Sequence, residues 1–209
     1  MAIKILAVSD QVVDRIYSGQ VARLYPDVNL IVGCGDLPYT YLEFILTMLD
    51  KPLFYVPGNH DPDYSPTNAK TRVQGGTNLD EQTVCFKGLI FAGLGGSVLY
   101  RPDGSNQYSQ SAMYLRAFNL ALKLIHNRLR YGRALDVLVT HSPPAGIHDD
   151  DDPAHRGLRA INWIMRWFKP RYILHGHTHF YRQNLAPSRT QVGGTTVVNV
   201  YPYRIIEID

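Results

Sequence analysis

Residues 3–10 read IKILAVSD, residues 30–36 read LIVGCGD and residues 53–61 read LFYVPGNHD. Each is an apolar run of strand length that stops at a residue able to bind metal or carry a proton. Residues 137–141 (VLVTH) and 172–179 (YILHGHTH) repeat the arrangement. In an α/β protein, ligands gather where the carboxyl ends of parallel strands meet the loops. Five such ends bring Asp10, Asp36, Asn59, His141, His177 and His179 toward one edge.

The segments between these runs support a layered α/β fold. Residues 11–24 place Val12, Val13, Ile16, Val21 and Leu24 near helical spacing, with Pro26 beyond. Residues 40–49 read as a second helix, and Pro52 opens the third strand. This βαβαβ start predicts a parallel sheet with right-handed crossovers. Residues 62–80, rich in Pro, Asn, Thr and Gly, read as a long loop over the site. Residues 83–86 and 89–92 predict a hairpin turning at Gly88. A long helix is expected over 111–131, capped by Ser111, with Met113, Leu115, Phe118, Leu122, Ile125 and Leu129 as its apolar stripe. Residues 157–168 predict a further helix. Residues 195–200 and 204–208 read as antiparallel strands.

The bulk numbers set limits. A chain of 209 residues fits one domain, residues 1–209, with a sizeable core. An apolar content of 45% and a charged content of 19% are ordinary for a globular protein. A net charge of +3 is too small to call for a stable nucleic-acid partner. No apolar run reaches the length of a membrane span, and no signal-peptide pattern precedes Ile3. Cys34 and Cys85 form no CxxC pair, which suits a reducing cytoplasm rather than a disulfide framework.

Carboxylate, amide oxygen and imidazole together suit divalent ions such as Mn, Fe, Zn or Co, not Ca with its all-oxygen shell. Two ions sharing a carboxylate can clamp the attacking and leaving oxygens of an in-line displacement at phosphorus. A nearby imidazole can then protonate the leaving alkoxide. Gly35, Gly58 and Gly176 each precede a ligand position, where a sharp turn needs a permissive backbone. Singly these motifs are weak, since Gly-Asp after a strand is usually a turn and a lone His141 usually structural. Their common placement at strand ends is what carries the reading.

The order Asp10, Gly35-Asp36, Gly58-Asn59-His60-Asp61, His141, Gly176-His177-Thr178-His179 resembles the calcineurin-like metallophosphoesterase superfamily over nearly the whole chain. The resemblance implies a four-layer α-β-β-α sandwich, two mixed β-sheets packed face to face with helices outside. It also implies that Asp36 bridges two metals, and that Asn59, His141 and His177 complete one site. Asp10 and His179 would serve the other. His60 would be the general acid, oriented by Asp61. The implied cofactor is one or two divalent transition-metal ions, manganese first, with Fe, Zn, Co or Ni as alternatives.

The departure lies in the first motif. The family pattern is Asp-x-His, whereas this chain has Asp10-Gln11-Val12. Val12 cannot bind metal. Two metals of unequal affinity are expected. A single metal, or replacement by Gln11 or Asp14, are the other outcomes.

The function expected is hydrolysis of a small or nucleotide-type phosphoester, with diesters preferred because His60 is kept. The alternative is a catalytically reduced scaffold that binds a nucleotide or a protein, which Val12 favours and His60 opposes. Other features have plainer readings. His175 should alternate away from His177 and be structural. The acidic run 149–152 reads as a solvated loop, with His155 and Arg156 as candidate phosphate contacts. Cys34 reads as a small core residue. His126, Arg128, Arg130, Tyr131 and Arg133 suit a helix C-terminus. Tyr39, Tyr41, Tyr64 and Tyr100 are candidates to stack on a base. Ser97 and Ser142 lack a nucleophile-elbow setting.

Overall fold

The computed structural model describes residues 2–179 and 188–209. In chain order the strands are β1 (Ile3–Val8), β2 (Leu30–Gly33), β3 (Leu53–Tyr55), β4 (Thr77–Asn78), β5 (Thr83–Phe86), β6 (Leu89–Leu94), β7 (Ser97–Val98), β8 (Gln107–Tyr108), β9 (Val137–Thr140), β10 (Tyr172–His175), β11 (Arg189–Val192), β12 (Thr195–Asn199) and β13 (Tyr203–Ile208). The α-helices are α1 (Val21–Leu24), α2 (Tyr39–Leu49), α3 (Gln110–Tyr131) and α4 (Arg159–Phe168).

Two large mixed sheets form, in the orders β13-β1-β2-β3-β4 and β11-β12-β10-β9-β6-β5. In the first, β1 to β4 are parallel and β13 is antiparallel. In the second, β12, β10, β9 and β6 are parallel, with antiparallel β11 and β5 at the edges.

Strand alternation assigns the faces. Ile5 and Ala7 of β1, Val32 of β2, Phe91 of β6, Val137 and Val139 of β9 and Leu174 of β10 share one core between the sheets. Their neighbours Leu6, Val8 and Ile31 face outward against Tyr41, Leu42 and Ile45 of α2. On the other side Leu138, Ile173 and Val197 face outward against α3 and α4. The result is the α-β-β-α sandwich expected. Strands buried on both faces must be apolar throughout, which explains the unbroken runs that opened the sequence.

Several sequence expectations fail locally. The helix expected over 11–24 forms only as α1. Before it the Ile16 and Tyr17 N–H groups both bond the Val13 carbonyl in a turn, and the Ser18 hydroxyl bonds the Arg15 carbonyl. β-Branched Val12 and Val13 and the Ser18-Gly19 pair disfavour a continuous helix, while Val12, Val13 and Ile16 still pack toward α2. The closing strands β12 and β13 do not pair with each other; they lie in different sheets. The cap of α3 is Ser109, whose Oγ accepts from the Ala112 N–H at 3.1 Å, not Ser111. Of the stripe expected on α3 only Met113 is buried. The buried face is Met113, Ala117, Leu120, Ala121 and Leu124, and the other five residues named are exposed. The helix carries two apolar faces, and spacing alone does not say which meets the sheet.

Candidate metal centre

The ends of β1, β2, β3, β9 and β10 meet at one edge, and the turns there are unusual. Asp10, Asp36 and His177 have φ of 63°, 55° and 67°, in the left-handed region. A non-glycine residue there costs about 1 kcal/mol or more. The strain therefore falls on three of the ligand positions themselves. Of the three glycines singled out, Gly35 has positive φ (90°). Gly58 and Gly176 serve a different need, which is room. A Cβ at Gly58 would overlap the Asp36 carboxylate, and one at Gly176 would overlap the Ser9 and Asp10 side chains.

One half of the centre is buried and closely defined. His141 is fully buried, and its Nδ1 donates to the Cys34 carbonyl at 2.8 Å. Its Nε2 therefore turns a lone pair inward. His177 is mirror-like: its Nε2 donates to the Ala154 carbonyl at 2.7 Å, which leaves Nδ1 facing His141 Nε2 at 3.0 Å. Asn59 donates from Nδ2 to the Tyr100 hydroxyl at 3.1 Å and presents Oδ1 to His141 Nε2 at 2.9 Å. Asp36 Oδ2 lies 3.3 Å from the same nitrogen. Four lone-pair atoms thus converge, each aimed by a second hydrogen bond or a strained backbone. Outer hydrogen bonds of this kind fix tautomer and ring direction in metal sites. The ligand atoms of Asp36, His141 and His177 all lie within 4.8 Å of one another. This donor set fits a divalent ion.

The protonation pattern says the same. Burial alone would lower His141, yet the adjacent Asp36 carboxylate, with Asp10, pushes it up to about 10. Without metal, a proton is the cation that this cluster attracts. His177 is held down to about 3, first by burial and then by His141. Asp36, despite burial, is lowered to about 2 by His141.

The other half is more open. Asp10 accepts from the His177 N–H at 2.9 and 3.2 Å, and the Ser9 hydroxyl donates to its Oδ2. His179 Nε2 lies 3.7 Å from Asp10 Oδ1, and 38% of its side chain is exposed. Its ring stacks on Tyr201 with centroids 4.4 Å apart and planes at 15°. The Tyr201 hydroxyl donates to Gln11 Oε1 at 2.8 Å. Val12 is partly buried against the cluster that includes α2 and is not among the residues lining the centre.

A cavity of about 430 Å³ covers the centre, lined by Asp10, Asp36, Asn59, His177 and His179, with His60, Tyr100, Arg101, Ala154 and His155 at its walls. A second cavity of about 690 Å³ adjoins it through Asp36 and His60 and extends past Tyr39 to Lys70 and Arg72. His60 is exposed between the two, and its N–H donates to Asp36 Oδ1 at 2.8 Å.

A model of the calcineurin-like phosphoesterases matches residues 5–181, a span that includes every candidate ligand. The chain belongs to that family. This calcineurin-like phosphoesterase is 26% identical over 186 residues to an uncharacterized protein of Methanocaldococcus jannaschii, covering 83% of this chain and 78% of the relative. Its fold is similar to that of the Thermus thermophilus protein TT1561, with a TM-score of 0.61 at 16% identity, over 96% of this chain and 89% of that one. It is also similar to a candidate 5′-nucleotidase of Staphylococcus aureus, with a TM-score of 0.53 at 14% identity, over 95% of this chain and 48% of that one.

The structure of this phosphoesterase brings all seven sequence-derived site residues to one edge, but it reassigns several neighbours. Asp61 accepts from the Gly58 and Asp36 N–H groups at 2.8 and 2.9 Å. Among the described residues it makes no hydrogen bond to the His60 ring, so it braces the two ligand turns instead. Burial raises its carboxyl to about 6. Neither Gln11 nor Asp14 is among the residues lining the centre. His155 lies at the wall, with its ring 5.2 Å from His177, while Arg156 turns to the Asp151 carbonyl. His175 is structural as expected, bonded to His148 and to the Gly176 carbonyl. Tyr41 is buried and Tyr64 exposed, whereas Tyr39 and Tyr100 line the cavities. Arg101 and Tyr201 escaped sequence reading. Each follows a short strand in an unpatterned turn, and neither type is rare outside active sites.

Proposed function

We propose that the protein is a metal-dependent phosphodiesterase acting on small or nucleotide-type phosphodiesters. The observation that carries this reading is the convergence of four aimed lone pairs beside an exposed imidazole at the junction of two cavities. Asp36, Asn59, His141 and His177 would hold the tighter ion, and Asp10 and His179, sharing Asp36, the weaker one. Manganese is the proposed metal. When bound, the metal would supply the positive charge that acidifies water and offsets charge on the phosphoryl oxygens.

The chain's own residues then divide the work. Arg101 and His155 stand at the wall where phosphoryl oxygens would lie and would orient the group. His60, open to both cavities, would give its ring proton to the leaving oxygen. The leaving substituent would lie along Tyr39 in the larger cavity, an aromatic surface suited to a base or other flat group. The weight on diesters follows from His60, since an alkoxide leaves poorly without a proton. We place the enzyme in the cytoplasm on its two free cysteines, Cys34 buried and Cys85 exposed. Among the described residues no helix is long and apolar enough to cross a membrane.

The test is hydrolysis of bis-p-nitrophenyl phosphate after chelation and reloading with Mn. Wild type should be active and Asp36→Ala inactive with reduced metal, while His60→Ala should keep its metal and lose far more activity on a diester with an alkoxide leaving group than on bis-p-nitrophenyl phosphate, whose nitrophenolate leaves without a proton. Absence of activity with every divalent metal would instead assign the fold to a binding role. Metal content with and without added Mn reports the two affinities; two equally tight ions would overturn the asymmetry.

A further inference from the structure

The outer face of α3 offers a feature that hydrolysis does not use. Leu115, Phe118, Leu122, Ile125 and Leu129 follow one another at spacings of three and four residues. All five are exposed, between 49% and 83%. The inner face of the same helix is already buried on β6, β9 and α4 through Met113, Ala117, Leu120 and Leu124. A helix that is apolar on two faces normally has a partner on each. A strict three-four repeat is narrower than a core-facing stripe and is the seam by which two helices pack.

We infer that this seam joins two copies of the chain, with α3 packed antiparallel on α3 of the second copy. The seam from Leu115 to Leu129 spans about 21 Å of helix. Five large apolar side chains at these exposures offer on the order of 500 Å² per protomer. Two protomers together then bury up to about 1,000 Å² from these five side chains alone, the least that a biological interface buries. A two-fold axis at Leu122 sets Leu115 opposite Leu129 and brings Phe118 to within about one residue rise, ~1.5 Å, of Ile125, so both halves of the interface are the same surface.

Charge decides the direction. The 22 residues of α3 contain no acid. Arg116, in its first half, is turned away and paired with Asp80. The cations at its exposed end are Arg128 and Arg130; Arg133, just beyond, is paired with Asp136. Parallel packing would bring two such ends together, and antiparallel packing separates them by the length of the seam. A membrane-surface helix would instead have a wide apolar face with cations along its length. Here Arg116 and Lys123 are turned onto residues 80–82, the other Lys and Arg residues of the helix lie in its last turn, and the opposite face is protein core.

The test is solution mass by light scattering over a dilution series from about 500 μM down to about 5 μM, since an interface at the small end of the range can be weak. Wild type should give twice the 23.6 kDa chain mass. Leu122→Glu and Phe118→Glu should each give a single-chain mass, with unchanged far-ultraviolet circular dichroism and unchanged hydrolysis rate. In a Cys85→Ser background, Leu115→Cys should form a disulfide with Leu129→Cys but not with itself. Self-linking by Leu115→Cys would overturn the antiparallel packing. A wild-type mass of one chain, or a dimer insensitive to both Glu variants, would overturn the interface. Single-chain protein that co-sediments with anionic vesicles would assign the seam to a membrane and overturn it too.

Discussion

Gly176→Ala tests whether the centre is as tightly packed as its geometry implies. A Cβ at this position would overlap Ser9 Oγ and Asp10 Oδ2 and lie 2.7 Å from Ser9 Cβ. None of these atoms has an easy retreat. Ser9 is fully buried, with its Oγ 3.3 Å from the Cys34 carbonyl, and the Asp10 carboxylate is held by the His177 N–H at 2.9 and 3.2 Å. Overpacking of this kind costs about 1–3 kcal/mol. Breaking the hydrogen bond to the Asp10 carboxylate costs about 1.5–3 kcal/mol more. The expected loss of stability is therefore about 2.5–6 kcal/mol, read from urea midpoints of chelated protein. Hydrolysis should fall as well, because Asp10 leaves the centre. Ser9→Gly removes two of the three overlapping groups, so the double variant should recover at least ~1 kcal/mol relative to additivity. A Gly176→Ala protein with wild-type midpoint and metal content would refute the packing argument.

Three further outcomes are expected. Arg116 lies within 2.6 Å of both Asp80 carboxylate oxygens and 4.0 Å from the Tyr108 ring centroid, with 15% of its side chain exposed. Arg116→Ala should cost about 3 kcal/mol through the stranded Asp80 charge, with activity retained; a change under ~1 kcal/mol would refute it. Val12→His should lower stability by about 1–2 kcal/mol and leave the metal stoichiometry unchanged, because Val12 is partly buried against the cluster that includes α2 and is not among the residues lining the centre; a gained metal ion would refute it. His148 accepts from the Thr190 hydroxyl at 2.8 Å and donates to His175 at 2.9 Å, and burial lowers it from 6.5 to about 4. The unfolded chain binds that proton first, so stability falls as pH drops from 6.5 toward 4. Allowing for solvent screening at this half-buried group, the effect is on the order of 1–2 kcal/mol. Urea titrations should show a shallower decline for His148→Asn, and equal slopes would refute the assignment.

The strand ends were legible because burial on both sheet faces forces unbroken apolar runs, and such a run ends abruptly where the first polar ligand appears. Asp10, Asp36, Asn59, His141, His177 and His179 could therefore be picked out by position. The two sheets they come from could not be separated, since a strand carries no mark of its partner. For the same reason 195–200 and 204–208 read as a pair, although β12 follows β10 and β13 follows β1. The segment 11–24 failed because apolar spacing is met equally well by a turn that packs three side chains inward. The stripe on α3 failed because the outer seam matches the helical period as well as the inner one. The atoms that aim the imidazoles are backbone carbonyls of Cys34 and Ala154, which no side-chain pattern announces.

Val12, partly buried against the core, also changes how the expected asymmetry of the centre arises. On the His141 side each imidazole has its outer nitrogen bonded to a carbonyl, and Asn59 has its amide fixed by Tyr100. Folding has already ordered these donors, so an ion arriving there would order little more. On the other side His179 stands on a partly exposed turn against the flat face of Tyr201, and Asp10 divides its carboxylate between Ser9, the His177 N–H and His179. An ion at Asp10 and His179 would have to compete with those contacts and order an exposed ring. The expected difference in affinity would then rest on preorganisation as much as on ligand count. On that account Tyr201→Ala, which removes the stack but no donor, should weaken the second ion while leaving the first in place.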